Sequence, residues 1–158
     1  MSKKILFICL GNICRSPMAE AILRHKVKDK NDIIVDSAGT GAWHSGELPH
    51  HGTREILDRM KISYAGQKAR QITEKDFEEF DYILTMDNDN YGDVDSMYSQ
   101  WLDKQKGKVE KKPVIKLFLE YAPNCGFSEV PDPFYVGGFD KVFCMLEDAC
   151  DGLLKELL

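Results

Sequence analysis

Residues 3–17 read K-K-I-L-F-I-C-L-G-N-I-C-R-S-P, and this stretch decides the fold. Its first half is a short, nearly continuous apolar run, which is typical of a strand buried on both faces of a parallel sheet. Gly11 and Asn12 end the run in a tight loop. Ser16 and Pro17 then begin a helix, with Ser16 as the candidate N-cap and Pro17 in the first helical position. The stretch predicts a strand, a loop and a helix in immediate succession.

The rest of the chain repeats this alternation. Further strands are predicted at residues 33–35, 80–86 and 114–117. Helices are predicted at 54–60, after a capping pattern at 73–76, in part of 87–106 and in the amphipathic C-terminal segment. The stretches at 42–52 and 122–138 are loop-like. Strands that alternate with helices predict a doubly wound α/β fold with a mainly parallel sheet. Because no repeat or linker interrupts the pattern, we expect residues 1–158 to form a single domain.

Composition narrows the class of protein. The chain of 158 residues is 43% hydrophobic and 30% charged, as expected for a folded domain with a substantial core. Its net charge of -5 argues against a nucleic-acid surface, although a local site can still be electropositive. The start lacks a secretory pattern, and no apolar run reaches transmembrane length. Five cysteines, an odd number, then predict reduced thiols in the cytoplasm.

The loop after the first strand has the chemistry of a phosphate site. Ligands in such folds bind beyond the carboxyl ends of the strands, where this loop lies. Successive backbone N–H groups and a helix N-terminus favour an anion, and Gly11 keeps the backbone approachable. Arg15 adds a fork of donors that matches two phosphate oxygens. We expect this loop to bind a dianionic tetrahedral group.

Cys9, at the start of that loop, is the candidate nucleophile. A helix N-terminus and a nearby arginine lower the pKa of a thiol, and the hydroxyl of Ser16 could donate to the sulfur. In-line attack on phosphorus would give a phosphocysteine intermediate. The loop amides and Arg15 would stabilise the charge on the equatorial oxygens of the transition state.

A second segment supplies the proton that the leaving group needs. Asp132 lies between Pro131 and Pro133, which would stiffen the loop and fix the direction of the carboxyl group. We therefore predict Asp132 as the general acid. Phe134 and Tyr135 would form an aromatic wall beside it.

These segments resemble the low-molecular-weight protein tyrosine phosphatases. The similarity lies in C-L-G-N-I-C-R-S-P at 9–17, D-S-A-G-T at 36–40, W-H at 43–44, K-A-R-Q at 68–71, D-Y-I-L-T-M-D at 81–87 and D-P-F-Y at 132–135. It thus covers nearly the whole chain, in order. The resemblance implies a single three-layer domain, with a four-stranded, mainly parallel twisted sheet and helices on both faces. It also implies that no cofactor and no metal are required.

The resemblance further implies a role for each site residue. Cys9 would be the nucleophile, Arg15 the phosphate-binding residue and Asp132 the general acid. The phosphate loop and its support would comprise Leu10, Gly11, Asn12, Ile13, Cys14, Ser16 and Ser37, in which Asn12 holds the strained loop with help from Ser37 and Ser16 stabilises the thiolate. The slot for the phenyl ring would be lined by Leu10, Trp43, Phe134 and Tyr135.

The expected partners follow from the same resemblance. The substrate would be a phosphotyrosine-containing protein or a small aryl phosphate, without nucleic acid or membrane. The protein would be a monomer or a weak dimer in the cytoplasm, and some bacterial relatives leave the cell without a signal peptide. One position departs from the family: mammalian members often carry a histidine where this chain has Gln67. Because glutamine can also donate or accept a hydrogen bond, we expect activity to survive this change.

Three other functions use similar residues. Thiol-dependent arsenate reductases share the fold and the loop but need two further cysteines near the third strand, and residues 81–98 contain none. Protein arginine phosphatases resemble this family but carry threonine at the position of Ile13, so that bulky Ile13 favours an aryl ester. A phosphate-binding module without catalysis is disfavoured because every required residue is present.

The remaining cysteines have simpler interpretations. Cys125, Cys144 and Cys150 are expected to be small packed side chains. Cys14 could either pack or, as the family implies, form a protective disulfide with Cys9 under oxidation. Zinc held by Cys9 and Cys14 with the two histidines at 50–51 matches no usual ligand spacing.

Overall fold

The computed structural model describes residues 2–158 and shows a four-stranded parallel sheet. The strands are β1 (Lys3–Cys9), β2 (Ile33–Gly39), β3 (Tyr82–Thr85) and β4 (Val114–Leu117), in the order β2-β1-β3-β4. The helices are α1 (Arg15–Lys26), α2 (His51–Arg59), α3 (Lys75–Glu79), α4 (Asn88–Gln105), α5 (Pro133–Val136) and α6 (Phe139–Leu157), with a 3₁₀ turn at Phe118–Tyr121. The predicted fold class is confirmed.

Side chains of β1 alternate between two apolar layers. Phe7 and Cys9 face the layer that contains α1 and α6, and Leu6 and Ile8 face the layer that contains α3 and α4. This period of two, in a strand that is buried from Ile5 onward, explains why β1 reads as an unbroken apolar run. Helices therefore cover both faces of the sheet, and the middle strands carry the core.

The register of the parallel strands brings the loop after Cys9 to the edge of the sheet where the strands end. Cys9 is paired with Gly39 at the end of β2, and Ile8 is paired with Thr85 at the end of β3. Carboxyl ends of three strands thus converge around the loop that follows Cys9, as expected for ligand sites in α/β sheets. Within residues 2–158, no helix has both the length and the apolar composition needed to cross a membrane.

Several predicted boundaries are wrong. Helix α1 begins at Arg15, with Cys14 at the N-cap, so Ser16 lies inside the first turn and is not the cap. Strand β2 continues to Gly39 rather than ending at Val35. Strand β3 is shorter than predicted, α2 begins three residues earlier, and the predicted loop at 122–138 contains α5.

The capping pattern predicted at 73–76 is only half present. The Asp76 carboxylate accepts a hydrogen bond from the Thr73 backbone N–H (2.9 Å), but the Asp76 N–H donates to the Thr73 carbonyl (3.0 Å) rather than to a side chain. Asp76 also accepts two bonds from the Arg70 guanidinium. This carboxylate therefore anchors the segment that precedes α3 instead of completing a reciprocal cap.

Candidate active site

The end of β2 holds the loop that follows β1. Thr40 N–H donates to the Cys9 carbonyl and Gly41 N–H to the Leu10 carbonyl, both at 2.9 Å. A Cβ added to Gly39 would lie 2.7 Å from the Leu10 carbonyl oxygen. Glycine is required there because the backbone of β2 lies directly against the loop.

The Cys9 sulfur lies at the base of this loop, almost buried. It is 3.0 Å from the Ser16 hydroxyl and accepts a hydrogen bond from the Asn12 backbone N–H at 3.3 Å. Both groups are buried, so the sulfur is surrounded by donors rather than by bulk water. Such contacts stabilise negative charge on a thiolate.

Asn12 holds the loop by its side chain. Its φ of 59° lies in the left-handed region, which asparagine tolerates better than most residues. The side-chain amide donates to Ser16 Oγ (2.8 Å) and Ser37 Oγ (2.9 Å), and its oxygen accepts the Arg70 backbone N–H (2.9 Å). Three separate segments therefore fix one strained residue.

The neighbouring hydrogen bonds allow the Ser16 hydroxyl to donate to Cys9. Ser37 accepts from Asn12 and donates its own proton to the buried Glu20 carboxylate at 2.6 Å. Ser16 likewise accepts from Asn12, so its own proton is available for the Cys9 sulfur at 3.0 Å. Burial raises the pKa of Glu20, although its bonds with Ser37 and Arg24 oppose this. Ser16 thus lies within hydrogen-bond distance of both Cys9 and Asn12.

The orientation of the Arg15 guanidinium is set by the hydrogen bonds of one nitrogen, Nη1. Its Nη1 donates to the Asp87 carboxylate (2.7 Å) and to the Val130 carbonyl (2.8 Å). Burial alone would lower the pKa of Arg15, but the charges of Cys9, Asp87 and Asp132 raise it, so the guanidinium stays charged.

The other two guanidinium nitrogens of Arg15, Nε and Nη2, remain available for a ligand. The buried Nε has no acceptor among residues 2–158, and Nη2 has only a long contact of 3.5 Å with Asp132. Nε and Nη2 form one edge of the planar guanidinium, whose two donors match two oxygens of a single tetrahedral anion.

Cys14 lies in the same loop but in a different environment. Burial, followed by the charge of Cys9, raises the pKa of the Cys14 thiol to about 12. Its carbonyl accepts a hydrogen bond from the Thr53 hydroxyl at 3.1 Å. Cys14 is therefore a neutral packed thiol in this structure, and both loop cysteines are free.

Asp132 lies at the mouth of the site as the N-cap of α5. One carboxylate oxygen accepts the Phe134 N–H (3.1 Å), and the other faces Arg15. Beside it, Trp43 and Tyr135 are each 72% exposed and Phe134 is 46% exposed. These rings are unusually open for their size, which suits a surface that a ligand covers.

A cavity of about 300 Å³ joins these groups. It is lined by Cys9, Leu10, Gly11, Ile13, Cys14, Arg15, Trp43, His44, Asp132, Phe134 and Tyr135. Of the predicted site residues, Asn12, Ser16 and Ser37 do not line it but lie behind the loop and support it. Among residues 2–158 there is no group of three or more potential metal-ligating side chains.

Comparison with known proteins identifies the family. The family model described as low molecular weight phosphotyrosine protein phosphatase matches residues 4–158. The chain belongs to this family. Its members are cysteine-dependent phosphatases, which agrees with a sulfur at the base of an anion-binding loop.

Individual members of the phosphatase family are similar over nearly their full length. The low molecular weight protein-tyrosine-phosphatase YfkJ of Bacillus subtilis is 44% identical over 97% of this chain and 94% of its own. PtpA of Staphylococcus aureus (strain Newman) is 42% identical over 98% and 93%. The crystal structure of YfkJ superposes with a TM-score of 0.88, over 99% of this chain and 95% of the other. The crystal structure of a Drosophila arginine phosphatase is 31% identical with a TM-score of 0.87, over 98% and 97%.

Several residues lie at the site that the sequence alone does not predict there. His44 lines the active-site cavity, and its signal in the sequence is its position next to Trp43. Asp87 directly follows a predicted strand, a position that brings it to the same sheet edge as Cys9. Glu20 and the Arg70 N–H carried no recognisable signal, because their importance depends on contacts across the fold.

The structure also places Gln67 and corrects the prediction for two cysteines. No hydrogen bond joins Gln67 to Asn12 among residues 2–158: the Gln67 amide donates to the Pro17 carbonyl at 3.0 Å, and its buried oxygen has no partner there. The Asn12 oxygen is held by the Arg70 N–H instead. Of the cysteines expected to pack, only Cys150 is buried; Cys125 is partly buried and Cys144 is exposed.

Proposed function

We propose that this protein hydrolyses phosphotyrosine and other aryl phosphate monoesters through a phosphocysteine intermediate on Cys9. The observation that carries the proposal is the position of the Cys9 sulfur at the base of an anion-binding loop, below an aromatic slot. A phosphoryl group on a long planar side chain reaches such a base. A phosphoserine side chain has a single methylene group and no ring that could pack in the aromatic slot.

The first step is attack by the Cys9 thiolate on phosphorus. The S–P bond forms as the P–O bond to the phenol breaks, and a protonated Asp132 gives its proton to the leaving oxygen. The Nε–Nη2 edge of Arg15 and the loop amides bind the equatorial oxygens. In the second step water attacks phosphorus, its proton returns to Asp132, and Cys9 leaves as the thiolate.

Ser16 supports both steps from behind the loop. Its hydroxyl proton has the Cys9 sulfur as acceptor, so it stabilises the thiolate both as the attacking group and as the leaving group. The neutral Cys14, with its raised pKa, does not compete as a nucleophile.

The second candidate function is hydrolysis of phosphoarginine. It is favoured by the similarity to the Drosophila arginine phosphatase structure. Against it stands the wall of the cavity, where Ile13 places an apolar side chain beside the aromatic rings. A planar phenyl ring packs on such a wall, whereas a charged guanidinium would lose hydration there without a compensating partner.

Steady-state kinetics on matched peptides separates these functions. Three peptides of one sequence would carry phosphotyrosine, phosphoserine or phosphoarginine, and we expect the highest kcat/KM for phosphotyrosine. Acid quench and mass spectrometry should find the mass of one phosphoryl group on the peptide that contains Cys9. A higher kcat/KM for phosphoarginine would overturn the proposal.

A further inference from the structure

A second pocket adjoins the active-site cavity. We call it the histidine pocket; it has a volume of about 390 Å³ and is lined in part by Ile13, His44, His50, His51, Arg54 and Phe134. Ile13, His44 and Phe134 also line the active-site cavity, so they form the wall between the two spaces. A peptide whose phosphotyrosine occupies the aromatic slot would place a flanking residue at this wall.

The histidine pocket combines one arginine with three imidazole rings on an acidic protein. The chain carries a net charge of -5, yet three of its four histidines line this pocket together with Arg54. The acidic side chain in the lining is Glu47, whose carboxylate lies 2.8 Å from His44 Nδ1. This carboxylate is thus engaged by a histidine of the same pocket and forms no salt bridge with Arg54.

Arg54 is the charged group best placed to bind a ligand. Its Nε donates to the Pro49 carbonyl at 2.9 Å, which fixes the half-buried side chain against the loop. No carboxylate among residues 2–158 lies within salt-bridge distance of its two Nη atoms, unlike those of Arg15, Arg24, Arg59 and Arg70. Those Nη donors remain available for an oxygen acceptor.

His50 is fixed in the pocket by one hydrogen bond and by its aromatic neighbours. Its Nδ1 accepts the Gly52 N–H at 3.0 Å, and its ring packs between Phe134 and Phe139. Burial, His51 and Arg54 lower the pKa of His50, and the carboxylates of Asp132 and Glu55 do not outweigh them. The lowered pKa favours the uncharged ring of His50, which leaves Arg54 as the charged side chain available to a ligand.

We infer that the histidine pocket binds a carboxylate side chain that flanks phosphotyrosine in the substrate, and that Arg54 is the residue that determines this specificity. The inference rests on the proposed phosphotyrosine phosphatase activity. Leu48 and Pro49 supply apolar lining for the methylene groups of a glutamate. The carboxylate would take the free Nη donors of Arg54 in a partly desolvated space, where a charge pair is stronger than on an open surface.

The test compares pairs of phosphotyrosine peptides that differ only in whether one side chain ends in a carboxylate or in an amide. In each pair, one residue within two positions of phosphotyrosine is glutamate or glutamine, and the ratio of kcat/KM between the two is measured. We expect a ratio of about 3 to 10 in favour of glutamate at one of these positions in low salt. Because the readout is a ratio, a change in turnover common to both peptides cancels.

Three variants test whether Arg54 causes the preference for glutamate. Arg54→Gln should bring the ratio to about 1, and Arg54→Lys should restore part of it because the charge is kept. Arg59→Gln is the matched control: it lies on the same helix, is exposed and pairs with Asp140, so the ratio should stay at the wild-type value.

The outcomes separate this inference from the function on which it rests. If phosphotyrosine peptides are hydrolysed with no preference at any position, the inference is wrong while the proposed function stands. A preference that survives Arg54→Gln, or that disappears equally in Arg59→Gln, also overturns it. If phosphotyrosine peptides are not hydrolysed at all, the proposed function itself fails.

Discussion

The two halves of the active site are held in different ways. In the phosphate loop, Asn12 and Ser16 are buried, and every polar side-chain atom of these two residues has a partner. In the acid loop, Asp132 is held by the Phe134 N–H and by a long contact of 3.5 Å to Arg15, next to exposed rings. The binding half is thus fixed before substrate arrives, and the proton-donating half is the adjustable one.

The largest effect should come from removing the nucleophile of the fixed half. We expect Cys9→Ser to lower turnover of an aryl phosphate by at least about 10⁴-fold, because a neutral hydroxyl cannot replace the thiolate. Binding of inorganic phosphate or vanadate should persist, since Arg15 and the loop amides remain. Isothermal titration with vanadate measures anion binding, and loss of binding would show that the phosphate loop needs the sulfur to bind the anion.

The next effect tests the adjustable half. Asp132→Asn should slow phenyl phosphate by about 10²- to 10⁴-fold, because the leaving oxygen then departs without a proton. An ester whose phenol is acidic enough to leave as the anion should lose far less. Single-turnover rates for a series of substituted phenyl phosphates measure this, and equal losses across the series would remove Asp132 as the acid.

A matched pair at Asn12 separates side-chain support from backbone strain. Asn12→Ala and Asn12→Gly both delete the bonds to Ser16 and Ser37, so each should lower kcat/KM by roughly 10- to 100-fold. The alanine variant should also be less stable than the glycine variant by about 1 kcal/mol, because φ is positive at this position. Kinetics and urea unfolding measure the two effects, and equal stabilities would mean that the loop relaxes.

The smallest effect concerns the buried acid behind the loop. Burial raises the pKa of Glu20 above its ordinary value of 4.5, so the folded state keeps this proton at pH values where the unfolded chain has released it. The free energy of unfolding therefore falls as the pH rises from about 4.5 through the folded-state pKa. Glu20→Gln should remove that part of the slope, as measured by urea unfolding from pH 4.5 to pH 8. An unchanged slope would contradict the assigned shift.

Local sequence was sufficient for the parts of the site that are contiguous. The strand, the loop and the helix at 3–26 follow from one apolar run, one glycine and one Ser-Pro pair, so Cys9 and Arg15 could be placed together. Asp132 and its two aromatic neighbours are likewise one short segment. Pairing the two segments required the chemical argument that a thiolate cannot protonate its leaving group.

The remaining parts depend on contacts between distant segments. Asp87 contacts Arg15 across 72 positions of sequence, and the Arg70 N–H contacts Asn12 across 58. Ser16 has the residue type of an N-cap, but its hydroxyl is used by Cys9 and Asn12, so α1 starts without a side-chain cap. Helix α4 has a polar sequence, yet Tyr98 and Trp101 in its C-terminal half pack on Phe77 of α3.

The contact between Arg15 and the Val130 carbonyl has a consequence for biosynthesis. These groups are separated by 115 positions, so the ribosome adds the carbonyl long after it has added the guanidinium that it orients. The phosphate loop is therefore made first and completed last. A nascent chain that lacks its final quarter carries Cys9 and Arg15 but neither the Val130 carbonyl nor Asp132. We therefore expect hydrolysis to begin only when the C-terminal part of the chain has docked.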